Sequence, residues 1–172
     1  MFSPIMKQKL LVLVFTFVCL VAKGQTVNVV SASDIDNIKI NSTTLSDLKK
    51  TYGKKDKVEA FFGAPASYNV TVNNSYYQFR YDGFKLDFST LNKKKAYIES
   101  FEISTNKNTF AIKGVTVAVG DNISKLGEVK VSTARNGAKS ILYSPCEDCD
   151  LFINIDFDAS NTITKITYYD MS

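Results

Sequence analysis

The sequence predicts an α+β domain in which antiparallel strands follow short helices. Three observations lead to this fold class. Short apolar segments with a period of two dominate from Tyr68 onward, which is typical of strands that bury one face. Turn residues separate these segments at short intervals, so neighbouring strands are expected to pair antiparallel. The few helical patterns are short, and they lie ahead of the strands.

The first 24 residues have the layout of a secretory signal peptide. Lys7 and Lys9 precede an uninterrupted apolar run over residues 10–22, and Ala22 and Gly24 provide the small residues of a cleavage site. This run is shorter than the roughly 20 residues that a membrane-spanning helix needs. We therefore predict a signal peptide over residues 1–24 and a single α+β domain over residues 25–172. The mature chain is predicted to be exported, periplasmic or extracellular, with no transmembrane segment.

Cys19 lies within the apolar run and is the candidate for a lipid anchor. A bacterial lipoprotein signal needs Leu three residues before the cysteine and a small residue directly before it. Here those positions hold Thr16 and Val18, so no lipid anchor is predicted.

Charge and composition limit the functions open to the mature chain. The whole sequence carries 21 Lys and Arg against 17 Asp and Glu, and three of these lysines lie in the predicted signal peptide. The remaining chain is nearly neutral, so no nucleic-acid partner is predicted. The sequence contains no histidine, which removes Ser-His-Asp and Cys-His activation of a nucleophile and the commonest zinc ligand.

Two short segments and two helices are predicted before the main strands. Residues 26–30 are β-branched and predict an edge strand or extended arm, and residues 38–40 form a short alternating segment. Thr44 is placed to cap a helix over residues 45–52 that ends at Gly53. Asp56 and Glu59 have capping-box spacing at the start of a second helix, which Gly63 and Pro65 end.

The next segments predict a three-stranded antiparallel unit. Asp82-Gly83 is a strong hairpin signal between two alternating segments, with Leu86 and Phe88 continuing the apolar face. A strand over residues 96–104 follows and is expected to bury Tyr97, Phe101 and Ile103 on one face. In the first of the three strands, one face carries Tyr77, Phe79 and Tyr81 and the other carries Tyr76, Gln78 and Arg80.

The second half of the chain shows the same order of elements. Residues 110–119 predict one strand, and Gly120-Asp121 opens a short helix that Gly127 closes. Strands are then predicted over residues 141–143, 151–157 and 162–169. We therefore predict a two-fold internal repeat of helix and three strands, over residues 38–104 and 105–172.

The segment Phe62-Gly63-Ala64-Pro65 followed by Tyr77-Gln78-Phe79-Arg80-Tyr81 resembles the helix–helix–sheet unit of small bacterial envelope proteins. These are the SmpA/OmlA (BamE-like) lipoproteins and the tandem-repeat, BLIP-like beta-lactamase inhibitor proteins. The resemblance covers residues 38–104 well and residues 105–172 poorly, because Leu126-Gly127 lacks the following proline. It implies a non-enzymatic binding module whose sheet offers a concave surface to a protein partner.

Cys146-Glu147-Asp148-Cys149 is the sharpest local motif in the mature chain. In an oxidising compartment an even pair of cysteines predicts a disulfide, here one that closes a tight turn. A thiol–disulfide redox pair is the alternative. That chemistry needs a thiolate stabilised by a cation or a helix N-terminus, whereas two carboxylates separate these cysteines and a strand follows.

An acidic stretch, Asp156-x-Asp158-x-Ser160, resembles the start of a calcium-binding loop. The sixth position is Asn161 and the twelfth is Thr167, where such loops have Gly and Glu. We therefore predict turn and solvent-face residues here, with no metal site, no cofactor and no catalytic residue in the chain.

The candidate binding surface is the polar face of the predicted strands. Tyr and Arg are enriched at binding hot spots, and this face combines them. Its candidate residues are Tyr76, Gln78, Arg80, Phe152 and Asn154. The sequence favours an exported bacterial binding protein without enzymatic activity and with a protein partner. The alternatives are an envelope enzyme, either a thiol–disulfide oxidoreductase or a histidine-free hydrolase, and a structural component of the cell envelope.

Overall fold

The computed structural model describes residues 26–71, 75–90, 95–134 and 136–171. The predicted signal peptide lies outside the described residues, as does most of the lysine-rich segment at residues 91–95. The described chain is a mixed α+β structure with antiparallel sheets and few, short helices, so the predicted fold class is confirmed at this level.

Strands make up most of the regular structure. The helices are α1 (Ala32–Asp36), α2 (Leu45–Lys49), α3 (Lys55–Phe62) and a 3₁₀ helix (Ile123–Leu126). The strands are β1 (Val27–Val29), β2 (Lys39–Ile40), β3 (Thr43–Thr44), β4 (Ser67–Thr71), β5 (Tyr76–Tyr81), β6 (Phe84–Ser89), β7 (Tyr97–Ile103), β8 (Thr109–Ile112), β9 (Val115–Ala118), β10 (Ser132–Thr133), β11 (Lys139–Ser144), β12 (Leu151–Phe157) and β13 (Ile163–Asp170).

In the described part of the chain, a nine-stranded sheet forms the body of the structure. Its order is β1, β11, β12, β13, β7, β6, β5, β4, and β10 pairs with β11 as well. Since β12 occupies one side of β11, β1 and β10 share the other side, β1 in parallel and β10 antiparallel. The remaining neighbours are all antiparallel, and β7 pairs with β13 at the centre of the sheet.

The inner face of this sheet is the hydrophobic core. Register aligns one buried row across six strands, each member at most 4% exposed: Phe79, Leu86, Phe101, Tyr168, Ile153 and Tyr143. At the central strand pair, the rings of Phe101 and Tyr168 stack with centroids 5.2 Å apart. Burial of such large side chains, each worth about 1.5–3 kcal/mol, makes this row a main contributor to stability.

A second, four-stranded sheet and the helices cover the inner face. The order of this sheet is β3, β2, β8, β9. Its Phe110 is fully buried and lies 6.2 Å from the ring of Phe101, which joins the two sheets. Helix α3 contributes Phe62, whose ring contacts those of Tyr81 and Phe84. The core is therefore continuous from the helices to the large sheet.

Two helix predictions need correction. The α2 prediction extended to residue 52, but the helix ends at Lys49, and Tyr52 has the positive φ of a turn residue. Asp56 was predicted to cap α3, yet Lys54 is the residue before the first turn and its carbonyl accepts a hydrogen bond from Val58. Asp56 instead lies in the first turn, where a carboxylate favours the positive end of the helix dipole.

Two strand predictions are also wrong. Residues 110–119 form β8 and β9, because Lys113 and Gly114 both adopt positive φ and reverse the chain. Tyr97 was expected to share a face with Phe101, but a bulge shifts the register so that Ile98 is buried instead. One extra residue in a strand moves every side chain before it to the opposite face.

Candidate functional site

The outer face of the large sheet brings the five predicted binding residues together on one surface. Register places Gln78 and Phe152 in one row, which runs Gln78, Asp87, Ser100, Tyr169, Phe152. The adjoining row contains Arg80 and Asn154 and runs Arg80, Lys85, Glu102, Thr167, Asn154. Tyr76 lies on the same face of β5. Since β5 and β12 are four strands apart, the two groups of residues are separated by about 19 Å.

Arg80 is held in place by the neighbouring strand. Its guanidinium forms an ion pair with Asp87 at 2.5 Å and donates a hydrogen bond to the carbonyl of Phe79 at 3.0 Å. Asp87 also accepts a hydrogen bond from the hydroxyl of Ser100 at 3.4 Å. The pKa of nearby Glu99 is raised, first by burial and second by the negative charge of Asp87. The charge of Arg80 is therefore compensated within the face.

A cavity of about 560 Å³ lies on the outer face of the second half of the chain. Its floor comes from β11, β12 and β13, and its walls include residues of the disulfide loop and of the segment that follows β10. A volume of this size is within the range of ligand-binding pockets. Phe152 and Asn154, predicted from the sequence, line it; Tyr76, Gln78 and Arg80 do not.

An aromatic pair forms the apolar part of the cavity. The rings of Phe152 and Tyr169 are cross-strand neighbours with centroids 5.2 Å apart. Tyr169 is 39% exposed, one of the most exposed large hydrophobic side chains in the described chain. A ring that offers an apolar surface and a hydroxyl to solvent is suited to bind another surface.

A polar cluster lies beside this pair. The amide of Asn154 donates to Asp156 at 2.6 Å, and Asp156 forms an ion pair with Lys165 at 3.3 Å. Thr167 donates its hydroxyl to the backbone carbonyl of Asn154 at 3.4 Å. The cluster presents both donors and acceptors to the cavity, and it is electrically balanced.

Cys146 and Cys149 form a disulfide, as predicted, with Cα atoms 5.3 Å apart. It closes the turn between β11 and β12, and Cys149 with Glu147 lines the cavity. The ends of this loop are tied to the sheet, since Ser144 donates to the carbonyl of Leu151 at 2.7 Å. The disulfide therefore restrains a loop that forms one wall of the cavity.

The acidic stretch has structural partners. Asp156 is paired with Lys165, and one carboxylate oxygen of Asp158 accepts hydrogen bonds from the backbone N–H groups of Ser160 and Thr162. The second interaction is typical of a side chain that organises a turn. Asn161 adopts positive φ at the same turn.

Sequence reasoning placed Asp156 on the outer face with Phe152 and Asn154 but did not select it as a binding residue, and it missed Tyr169 and Lys165 as members of the site. Tyr169 and Asp156 follow the alternation of their strands, and that signal alone could have identified them. Lys165 follows the same alternation, since the register shift between β12 and β13 lies between Lys165 and Ile163 and changes the face of Ile163 instead.

Comparison with known proteins does not assign this chain to a class: no family model, curated protein or solved structure matches it. Among the helices of the described residues, none has the length and apolar character required to cross a membrane.

Proposed function

We propose that this protein is an exported bacterial binding protein without catalytic activity, and that it binds a protein partner through the outer face of its large sheet. The observation that carries the proposal is that Tyr76, Gln78, Arg80, Phe152 and Asn154 share one face of the sheet, in two groups about 19 Å apart, and that Phe152 and Asn154 line a cavity with an exposed tyrosine.

The dimensions of the outer face support a macromolecular partner. The eight strands of the main path span about 34 Å at the usual strand spacing, and strands of about six residues are about 20 Å long. The resulting area of about 700 Å² is close to the 800 Å² that one partner contributes to a standard protein–protein interface. The cavity occupies only part of this face and is suited to receive an anchoring side chain.

The charges of the outer face support recognition by shape and hydrogen bonding. Arg80 is paired with Asp87, Lys85 with Glu102, and Lys165 with Asp156. Because each of these three cations has a nearby anion, they add little net field to steer a strongly charged partner. The proposal therefore favours a protein whose contact surface is not highly charged.

The two-fold internal repeat and the BLIP-like or BamE-like relationship are part of the proposal. Support comes from the strand order, in which the meander β5–β6–β7 and the meander β11–β12–β13 meet at their last strands. Helices α2 and α3 precede the first meander, and the 3₁₀ helix precedes the second. Each meander alone would leave its apolar inner face half covered, so joining them is favourable.

Thiol–disulfide exchange is the alternative function, because Cys149 lines the cavity. The residues around the disulfide favour a structural role, because Glu147 and Asp148 separate the cysteines and β12 follows. Redox titration distinguishes the two. A structural disulfide should resist mild reductants and should show no thiol of low pKa after reduction.

The binding proposal is tested with the mature protein and matched tyrosine variants. Tyr169→Ala removes an exposed ring from the cavity, and Tyr52→Ala removes one of nearly equal exposure from the turn after α2. A partner is first captured from envelope extracts, purified, and then titrated against each variant by calorimetry. We expect Tyr169→Ala to weaken binding at least tenfold, as for a hot-spot residue, and Tyr52→Ala to leave it unchanged.

Thermal melts separate lost binding from lost folding. Tyr76→Ala should also weaken binding while leaving the melting temperature nearly unchanged, because its side chain lies on the outer face. The proposal is wrong if the purified partner binds the Tyr169 and Tyr76 variants as tightly as the original protein.

A further inference from the structure

The two ends of the large sheet differ in how they are covered. At one end, β1 and β10 both pair with the outer side of β11. At the other end, β4 is the last strand of the path and, among the described residues, pairs with β5 alone. An end strand carries backbone donors and acceptors that can pair with another chain.

The hydrogen-bonding direction identifies which groups of β4 face outward. The carbonyl of Thr71 accepts a hydrogen bond from the N–H of Ser75, which leads into β5, so the backbone of Thr71 points toward β5. Backbone groups alternate in direction along a strand. Tyr68 and Val70 therefore direct their N–H and C=O groups away from the sheet, at the free edge.

This edge lacks the features that protect end strands from pairing. The strand reads Ser67-Tyr68-Asn69-Val70-Thr71, with no charge, no proline and no bulge against β5. Its Tyr, Val and Thr residues favour extended structure. Val70 is 41% exposed and extends the inner, apolar face beyond the edge.

We propose that β4 pairs antiparallel with β4 of a second copy, giving a two-fold symmetric dimer with one continuous sheet. The strand is complementary to itself in the register centred on Asn69. There Tyr68 is opposite the partner's Val70 and exchanges both backbone hydrogen bonds with it, and symmetry repeats this pair. Each exposed Val70 then contacts an aromatic ring, and Ser67 faces Thr71.

The small area of contact between the two β4 strands limits the affinity of the dimer. Two five-residue strands bury much less surface than a standard interface, so the dimer is weak and depends on protein concentration. This proposal is independent of the outer-face binding site, since it uses the backbone at the sheet edge.

The first test uses a proline at the free edge. Val70→Pro removes an N–H that points away from β5 and that no strand of the described residues uses, and proline is tolerated at edge positions of this kind. By symmetry the dimer loses two of its four backbone hydrogen bonds, which corresponds to roughly a thirtyfold weaker association. Val70→Thr retains the N–H and the branched shape and is the control. Sedimentation equilibrium across a range of concentrations measures all three proteins.

A cysteine pair tests the register. Asn69→Cys places a thiol on the two-fold axis, where facing residues have Cβ atoms about 4.5–5.5 Å apart, and mild oxidation should link two copies by a disulfide. Ser67→Cys is the matched control, because the two Ser67 positions lie about 14 Å apart along the strands in this register.

The expected results are a concentration-dependent dimer that Val70→Pro weakens and Val70→Thr does not, and covalent dimer from Asn69→Cys alone. The proposal is overturned if the mature protein stays monomeric at millimolar concentration. It is equally overturned if Val70→Pro dimerises as well as the original protein, or if Ser67→Cys cross-links as readily as Asn69→Cys.

Discussion

Gly83 in the hairpin between β5 and β6 offers the sharpest prediction about stability. It has φ of +71°, a conformation that costs a residue with a side chain about 1–2 kcal/mol. A Cβ atom added here would lie 2.5 Å from Cγ2 and 2.7 Å from Cβ of Thr105. Rotation of Thr105 can move its Cγ2 but not its Cβ, so the backbone must shift, at about 1–3 kcal/mol. Gly83→Ala should therefore destabilise the protein by about 2–5 kcal/mol in total.

A double-mutant cycle separates these two costs. In Gly83→Ala/Thr105→Gly the contact disappears, so the interaction energy should be about 1–3 kcal/mol in favour of the double variant. Gly114→Ala is the control for conformation alone, because Gly114 has φ of +80° and an added Cβ would meet nothing within 4 Å. Urea unfolding of the mature protein measures each free energy. Equal losses for Gly83→Ala and Gly114→Ala, with no recovery in the double variant, would refute the steric argument.

Three further predictions concern titration and the disulfide. Burial, and secondly the charge of Glu59, raises the pKa of Tyr81 to about 12, so its contribution to stability is complete below pH 10 and is lost as the pH rises through about 12. Tyr81→Phe should reduce that alkaline loss in thermal melts without lowering the melting temperature at pH 7, because the hydroxyl has no hydrogen-bond partner among the described residues. The hydrogen bonds from Lys125 and from the N–H of Ala118 lower the pKa of Asp121 below 3.8. The contribution of the Asp121 carboxylate to stability is therefore present above pH 3.8 and is lost as the pH falls through the lowered pKa. Asp121→Asn should flatten the acid side of a plot of melting temperature against pH. An unchanged acid side would contradict this prediction. Replacing both Cys146 and Cys149 by Ser should cost about 2 kcal/mol in urea unfolding, the amount expected for so short a loop, with an unchanged far-ultraviolet spectrum.

Much of the large sheet could be predicted because alternation is a strong local signal. The faces of β5, β6 and β12 follow directly from residues such as Phe79, Leu86 and Ile153, each buried on the inner side. Helix α1 could also have been found, since Ser31 and Asp34 have the spacing of a capping box and both of its hydrogen bonds are present.

The rest of the fold and of the candidate site depends on the pairing of segments that are distant in the sequence, which no local pattern shows. The bulge opposite Asp87 exchanges the faces of Tyr97 and Ile98, and it can be located only once β6 and β7 are paired. The cavity needs β11, β12 and β13 side by side with the disulfide loop. For that reason alternation could assign Phe152 and Asn154 to one face of β12 and Lys165 and Tyr169 to one face of β13, but it could not show that the two pairs line one cavity.

The two faces of the large sheet have different roles: the inner face contributes stability, and the outer face is the proposed binding surface. Successive residues of each strand alternate between a core that is almost fully buried and an outer face whose ions are paired with one another. A variant at Tyr169 thus changes the proposed binding surface while its neighbour Tyr168 continues to stack on Phe101. The edge at β4 is separate from the outer face, because its backbone groups lie in the plane of the sheet and Val70 lies on the inner side. Loss of partner binding, loss of dimer and loss of stability should therefore arise from different residues, and any variant that produced two of them together would show that these surfaces are coupled.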